Sequence, residues 1–244
     1  MNIRSAFSLA AIAILSCSQK KNGYEIDCNF EKKQAQNQFN YKNYTWTIFS
    51  GSGHDYLGEE EFKKLLKQNN INTRELLTSC LILPNDQYQN CGEIEMNRLI
   101  TKKFGKDFID SLRYIAKQDF VRTHPDEIFS FEQCDQLSRY PNSTIDQQSE
   151  KIHADYFAQY PPPGQYIKRN EEYYSYTSAS FIITKDGNIK DLSIESRFQN
   201  KKNNIFEKQF NKQLKDFVLH TQWIPGKINN MNVHSYYGVT IHYD

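Results

Sequence analysis

Residues 179–194 of this chain read ASFIITKDGNIKDLSI and predict a β-hairpin. Ala179, Phe181 and Ile183 alternate with other side chains in the first half of this stretch, which is the period of a strand with one buried face. The apolar residues Ile189, Leu192 and Ile194 follow in the second half. Asp186-Gly187, which lies between the halves, is a dipeptide typical of hairpin turns.

The segment after this hairpin predicts one amphipathic helix and a final strand. Asn204 can cap a helix whose apolar residues fall on a single stripe. That stripe is Phe206, Phe210, Leu214, Phe217 and Val218. Trp223-Ile224-Pro225-Gly226 ends the helix, and we interpret Trp223 as a core residue that packs at this corner. Residues 233–243 then alternate between apolar and polar side chains, as a strand does.

These elements predict a ββαβ domain over residues 166–244 with a three-stranded antiparallel sheet. The helix returns the chain along the sheet, so the last strand pairs with the first and the spatial order is 2-1-3. The last strand is then an edge whose outward N–H and C=O groups can pair with a strand from another chain. The residues expected to bind a partner there are Val233, His234, Tyr236, Gly238, Thr240 and His242.

The same residues resemble the C-terminal domain of TonB, the periplasmic energy transducer. The resemblance rests on residues 180–183, 186–189, the helix that follows, 223–226 and 229–233. Its motif residues are Asp186, Gly187, Trp223, Pro225 and Gly226. Family transducers begin with a transmembrane helix and a long Pro-rich spacer, whereas this chain begins with a lipid-attachment motif. The resemblance therefore implies a periplasmic binding fold with a link to TonB-type envelope transport.

Residues 41–140 predict a mainly α-helical domain that resembles no family we can name. A short strand is expected at Tyr44–Phe49, before a Gly/Ser-rich turn. Helices are expected after Gly58, after Asn72 or Thr73, and over Ile94–Lys103 and Lys106–Phe120. Residues 141–165 predict a Pro-containing linker with a short helix over Ser149–Gln159, which isolates the two domains. The predicted fold class is therefore α+β.

The chain has five cysteines, and their number and spacing indicate the cellular compartment in which it folds. The first of them is Cys17. The other four, Cys28, Cys80, Cys91 and Cys134, are an even number in an exported chain, which indicates two disulfides. Of the three possible pairings we favour Cys80–Cys91 with Cys28–Cys134. Zinc is the alternative, but no CxxC pair or HxxxH spacing is present to support it.

The first residues predict an exported lipoprotein. Arg4, the apolar run 6–15 and Ser16 follow the charged, apolar and small-residue order of a signal peptide over residues 1–16. Ile14-Leu15-Ser16-Cys17 resembles a bacterial lipobox, which makes Cys17 the acylated residue. The apolar run is too short to cross a bilayer. Residues 17–40 then predict a polar tether. We expect attachment to the outer membrane, facing the periplasm.

Charge and motifs favour a binding protein over an enzyme. The 30 basic and 29 acidic residues nearly cancel, so no overall field attracts nucleic acid. We predict no catalytic residue, metal site or cofactor. His54 and His124 have neighbouring acidic residues, but sequence neighbours rarely converge on one point. The favoured function is a lipid-anchored module that binds an extended peptide or an envelope protein along residues 233–243, with a homodimer as another use of that edge. The alternative is an enzyme or enzyme inhibitor in the helical domain.

Overall fold

The hairpin, helix and final strand predicted near the C-terminus are all present, in an α+β fold that confirms the predicted class. The computed structural model describes residues 28–51, 56–77, 90–168 and 175–243. The predicted signal peptide, Cys17, Cys80 and His54 lie outside these residues. No helix among the described residues is long and apolar enough to cross a membrane.

The N-terminal unit, residues 28–123, contains four helices and two strands among its described residues. They are α1 (Cys28–Asn40), β1 (Tyr44–Ser50), α2 (Glu59–Gln68), β2 (Ile71–Leu77), α3 (Cys91–Phe104) and α4 (Phe108–Thr123). The two strands form a parallel pair in which Tyr44 lies opposite Ile71. Trp46 and Ile48 on β1 pack with Leu66, Ile100 and other apolar side chains of the surrounding helices.

Four predicted elements of this unit are confirmed, and two predictions are wrong. The expected strand is β1, and the helices expected after Gly58 and over residues 94–120 are α2, α3 and α4. The helix expected after Asn72 is instead the strand β2, because Ile71 pairs with the buried edge of β1. Over Cys28–Asn40 the expected tether is the helix α1, which packs against α3.

Gly58 shows why α2 and α4 lie so close together. Its φ is 77°, a left-handed conformation that side chains disfavour, and a Cβ built on it would lie 2.7 Å from the carbonyl oxygen of Ala116. Any larger residue would therefore push α2 away from α4.

The C-terminal unit, residues 128–243, is built on a sheet with the order β3-β7-β4-β5. Its elements are β3 (Ile128–Phe129), α5 (Gln148–Gln159), β4 (Tyr176–Ile183), β5 (Ile189–Arg197), α6 (Glu207–His220), β6 (Gly226–Ile228) and β7 (Met231–His242). The order β5-β4-β7 is the predicted 2-1-3 order, and both pairings are antiparallel. The prediction of only three strands in this sheet is wrong. β3 pairs in parallel with β7, and β6 forms a hairpin with β7.

The predicted linker is largely part of the C-terminal core. The short helix is present as α5, but Ile152 and Tyr156 on it are buried among α6 and β7. Tyr140 and Tyr166, on either side of α5, belong to the same apolar cluster. Residues 140–166 therefore do not separate two domains, because their aromatic side chains complete one of them.

Candidate functional site

The last strand, which was predicted to be a bare edge, is partly covered. β3 pairs with His234 and Ser235 at the start of β7. Further along, His153 on α5 lies with Nε2 3.0 Å from the carbonyl oxygen of Thr240. Since an imidazole N–H donates to a carbonyl oxygen, this bond occupies an outward group that a partner strand would need. The predicted free edge is thereby reduced to the residues around Tyr236 and Gly238.

The six predicted partner-binding residues do not form one accessible set. Val233 and His234 are buried, and Nδ1 of His234 accepts a hydrogen bond from the backbone N–H of Lys185 at 3.2 Å. His242 is half-buried. Only Tyr236, Gly238 and Thr240 are exposed. The strand was predicted correctly, but its N-terminal half is a core element.

Three tyrosines fix α5 beside β7 and the residue that follows it. Tyr237 donates its hydroxyl to Oε1 of Gln148 at 2.6 Å, and the hydroxyls of Tyr156 and Tyr243 are 3.3 Å apart. Burial raises the pKa of Tyr243 to about 12, while hydrogen bonds with Thr177 and Tyr156 act in the opposite direction. Tyr243 therefore remains a neutral hydroxyl, and these contacts hold the helix along the edge of the strand.

The opposite end of the sheet, β5, is paired on one side only within the described residues. Tyr243 donates its backbone N–H to the carbonyl oxygen of Ser175 at 3.1 Å, which shows that the odd-numbered residues of β7 face β4. Because backbone direction alternates along each strand, Glu195 and Arg197 face β4, whereas Ile194 and Ser196 face away from it. Ile194 and Ser196 thus present their N–H and C=O groups at the open edge.

Strand β5 has one apolar face and one charged face at this edge. Ile194 packs against the core, and Ser196 donates its hydroxyl to Oδ1 of Asn211 on α6 at 2.7 Å. Glu195 and Arg197 are exposed on the other face. Asp191 has a φ of 51° beside a register shift, so the regular edge begins after it. An irregular, charged strand end of this kind limits uncontrolled pairing between sheets.

The residues on which the resemblance to the TonB C-terminal domain rests lie in turns and in the core. Gly187, with a φ of 80°, closes the loop by donating its N–H to the carbonyl oxygen of Thr184 at 2.8 Å. Trp223 is 3% exposed and donates Nε1–H to the carbonyl oxygen of Val218 at 2.9 Å. This confirms the interpretation of Trp223 as a core residue. Asp186 lies in the hairpin loop, Pro225 precedes β6, and Gly226 is buried.

His124 lies in an open cleft of about 690 Å³ with several carboxylates, the arrangement that would favour the enzyme alternative. Several ionisable side chains of this cleft have partners within the protein. Nδ1 of His124 lies 2.9 Å from the carbonyl oxygen of Phe120 in the preceding turn, and its ring stacks on Phe120. Lys63 forms ion pairs with the carboxylates of Glu59, Glu60 and Glu75.

The favoured disulfide pairing is wrong. Cys28 is bonded to Cys91, which joins the start of α1 to the start of α3. Cys134 is a free, half-buried thiol, and burial together with Asp135 raises its pKa. Sequence spacing gave no means of choosing Cys91 as the partner, since the approach of α1 to α3 is a long-range contact.

Comparison with known proteins assigns no relative. The chain matches no family model, no curated protein and no solved structure. In the described ranges, no group of three or more His, Cys, Asp or Glu side chains is placed to hold a metal ion. The resemblance to the TonB C-terminal domain therefore rests on the sequence motifs alone.

Proposed function

We propose that this protein is a lipid-anchored module of the cell envelope that binds an extended peptide, or an extended segment of an envelope protein, by strand addition. The observation that carries the proposal is the open edge of β5, where Ile194 and Ser196 face away from β4. We place the binding edge at β5 because the edge of β7 is reduced by β3 and by His153.

The size of the edge sets the expected affinity. Ile194 and Ser196 each offer one N–H and one C=O, so a partner strand can form about four hydrogen bonds with them. At about 0.5–1.5 kcal/mol each, these bonds contribute about 2–6 kcal/mol. That range corresponds to dissociation constants from about 30 mM to about 40 μM, so low-micromolar affinity requires side-chain contacts as well. The half-buried Ile194 and the adjacent face of α6 are the surfaces available for those contacts.

The lipid anchor and the envelope location are part of the same proposal. Their support is the signal-like segment and the lipobox-like residues that end at Cys17. About eleven residues connect Cys17 to Cys28, and an extended chain of that length spans at most about 40 Å. An acyl anchor at Cys17 would therefore keep Cys28, at the start of α1, within about 40 Å of the membrane surface. A link to TonB-type transport is supported by the motif resemblance.

A pair of substitutions at one position tests strand addition. We would select ten-residue peptides from a displayed random library, and then titrate them into the protein while observing its backbone amides by NMR. Ile194→Pro removes an outward N–H and should weaken binding at least tenfold. Ile194→Ala is the matched control, because it also shortens the side chain but keeps the N–H. Trp223 fluorescence should report a native C-terminal unit in both variants.

The same titration distinguishes the alternatives. Protection of the Ser196 amide with loss of binding only in Ile194→Pro would support addition at β5. Equal loss in the Pro and Ala variants would show that the side chain, not the backbone, binds the peptide, and would overturn strand addition. Loss in Tyr236→Pro with none in Ile194→Pro would move the site to β7. A doubled mass in light scattering, without peptide binding, would replace the peptide by a second copy of the chain.

A further inference from the structure

A polar cleft lies in the N-terminal unit, far along the chain from the β5 edge. It has a volume of about 460 Å³ and is bordered by α1, the start of β1, and α3. Cavities of about 300–1,000 Å³ hold small molecules in proteins. The cleft is therefore large enough for a ligand of one or two rings.

The lining of this cleft is dominated by groups that both donate and accept hydrogen bonds. Gln34 and Gln38 project from α1, and Asn43 precedes β1. Each side-chain amide offers two N–H donors and a carbonyl acceptor. On the far side, Arg74 donates to the carboxylate of Glu93 at 2.7 Å. Both residues of this ion pair line the cleft.

The backbone of Thr45 adds a second, independent feature. Asn97 pairs with Thr47, donating to its carbonyl oxygen and accepting from its N–H, both at 2.8 Å. The N–H and C=O groups of alternate strand residues point to the same side, so those of Thr45 also point away from β2. No described residue is hydrogen-bonded to either group of Thr45. Thr45 is half-buried in the wall of the cleft, where a backbone donor and acceptor that point away from β2 favour a polar ligand.

From these features we infer that the cleft binds a neutral, hydroxyl-rich small molecule, such as one or two sugar rings. Hydroxyl groups match amide side chains because both donate and accept. An anion is disfavoured, since Arg74 is neutralised by Glu93 and Glu31 adds a negative charge. An apolar ligand is disfavoured because the apolar lining is limited to Ala35 and Met96. No described group of carboxylates, histidines or cysteines suits a metal ion.

Titration with simple sugars tests this inference. We would add glucose, N-acetylglucosamine and maltose up to about 50 mM, with inorganic phosphate and benzoate as charged and apolar comparisons. We expect at least one sugar to shift the Thr45 amide signal in NMR spectra. Gln38→Ala and Asn43→Ala should each weaken binding about threefold to tenfold. Asn37→Ala is the control, because it removes an amide from the same helix outside the cleft.

Each outcome decides the inference. Sugar-dependent shifts at Thr45 that weaken in the two cleft variants, but persist in Asn37→Ala, would support it. No shift with any sugar, or shifts produced only by phosphate or benzoate, would overturn it. Because the β5 edge is a separate site, Ile194→Pro should leave sugar binding unchanged. A loss of sugar binding in that variant would contradict the assignment to the N-terminal cleft.

Discussion

The two units of this molecule are stabilised in different ways. In the C-terminal unit, Phe210 stacks on Tyr243 with ring centroids 4.3 Å apart, and further aromatic rings surround this pair. In the N-terminal unit, α1 has only one buried apolar side chain, Ala35, and is attached to α3 by the Cys28–Cys91 disulfide. Gln36 on α1 also donates to Glu95 on α3 at 3.1 Å. Both units therefore have an apolar core, but in the N-terminal unit a covalent bond and polar contacts also hold α1 in place.

The units nevertheless share a third apolar cluster. Val121 at the end of α4 packs with Phe129, Ile228 and Val233 of the C-terminal unit. Asp135 accepts a hydrogen bond from the backbone N–H of Asn229 at 2.6 Å, and Asn229 donates its side-chain amide to the carbonyl oxygen of Tyr114 on α4. The predicted isolation of two domains by a linker is therefore wrong.

The tryptophans allow the two units to be followed separately, since the chain has two and each unit contains one. Trp46 and Trp223 are both buried in the cores of their units. We would use Trp223→Phe and Trp46→Phe as backgrounds, so that urea unfolding monitored by fluorescence reports on one unit at a time.

The largest expected effect comes from the aromatic core. Phe210→Ala should reduce the free energy of unfolding by about 3–5 kcal/mol, because it removes a fully buried ring and leaves a cavity. The measurement is the urea midpoint reported by Trp223. Ile205→Ala, at a residue that is 75% exposed, is the control and should change stability by less than about 0.5 kcal/mol. An equal shift of both midpoints in Phe210→Ala would show that the units unfold as one.

Removal of the disulfide should have the next largest effect, and it should reduce the stability of the N-terminal unit. Replacing both Cys28 and Cys91 with Ser should lower the stability reported by Trp46 by about 2–4 kcal/mol, because the unfolded chain regains freedom over a separation of 63 residues. Cys134→Ser is the matched control, since this thiol is free. If the double variant shifted only the Trp223 midpoint, the assignment of the disulfide to the N-terminal unit would fail.

The smallest effect is a pH dependence centred on Glu95. A hydrogen bond from Arg98 lowers the pKa of Glu95 from 4.5 to about 2, against the opposing effect of burial. A lowered folded-state pKa means that the charged carboxylate stabilises the protein above pH 4.5, and this contribution is lost as the pH falls from 4.5 towards about 2. Because Arg98 is exposed, we expect the loss to be about 1–2 kcal/mol.

Glu95→Gln provides the comparison for this pH effect. The variant should be less stable than the parent at pH 7 and should approach it near pH 2, with Trp46 as the reporter. A constant difference between the two proteins from pH 7 to pH 2 would show that the charge of Glu95 does not contribute.

The sequence alone was sufficient to predict the helices and strands whose apolar residues recur at a clear local period. The apolar residues on both sides of Asp186-Gly187 predict β4 and β5, and the stripe from Phe206 to Val218 predicts α6. The burial of Trp223 also follows from its position beside Pro225-Gly226. These elements can be predicted because each buries one face. The spacing of the apolar residues along the chain indicates the buried face and therefore the type of element.

Only the tertiary structure decided which elements meet. The spacing of the apolar residues in Ile71–Leu77 is compatible with a short helix or a short strand. The segment is a strand because it pairs with β1. The two residues of β3 cover β7 across about a hundred residues of sequence, and Cys28 meets Cys91 because α1 packs on α3. The same holds for the candidate binding edge, since the sequence predicts strands but not which of them is left unpaired. Local periodicity depends on near neighbours, whereas strand order, disulfide pairing and edge exposure depend on contacts between distant residues.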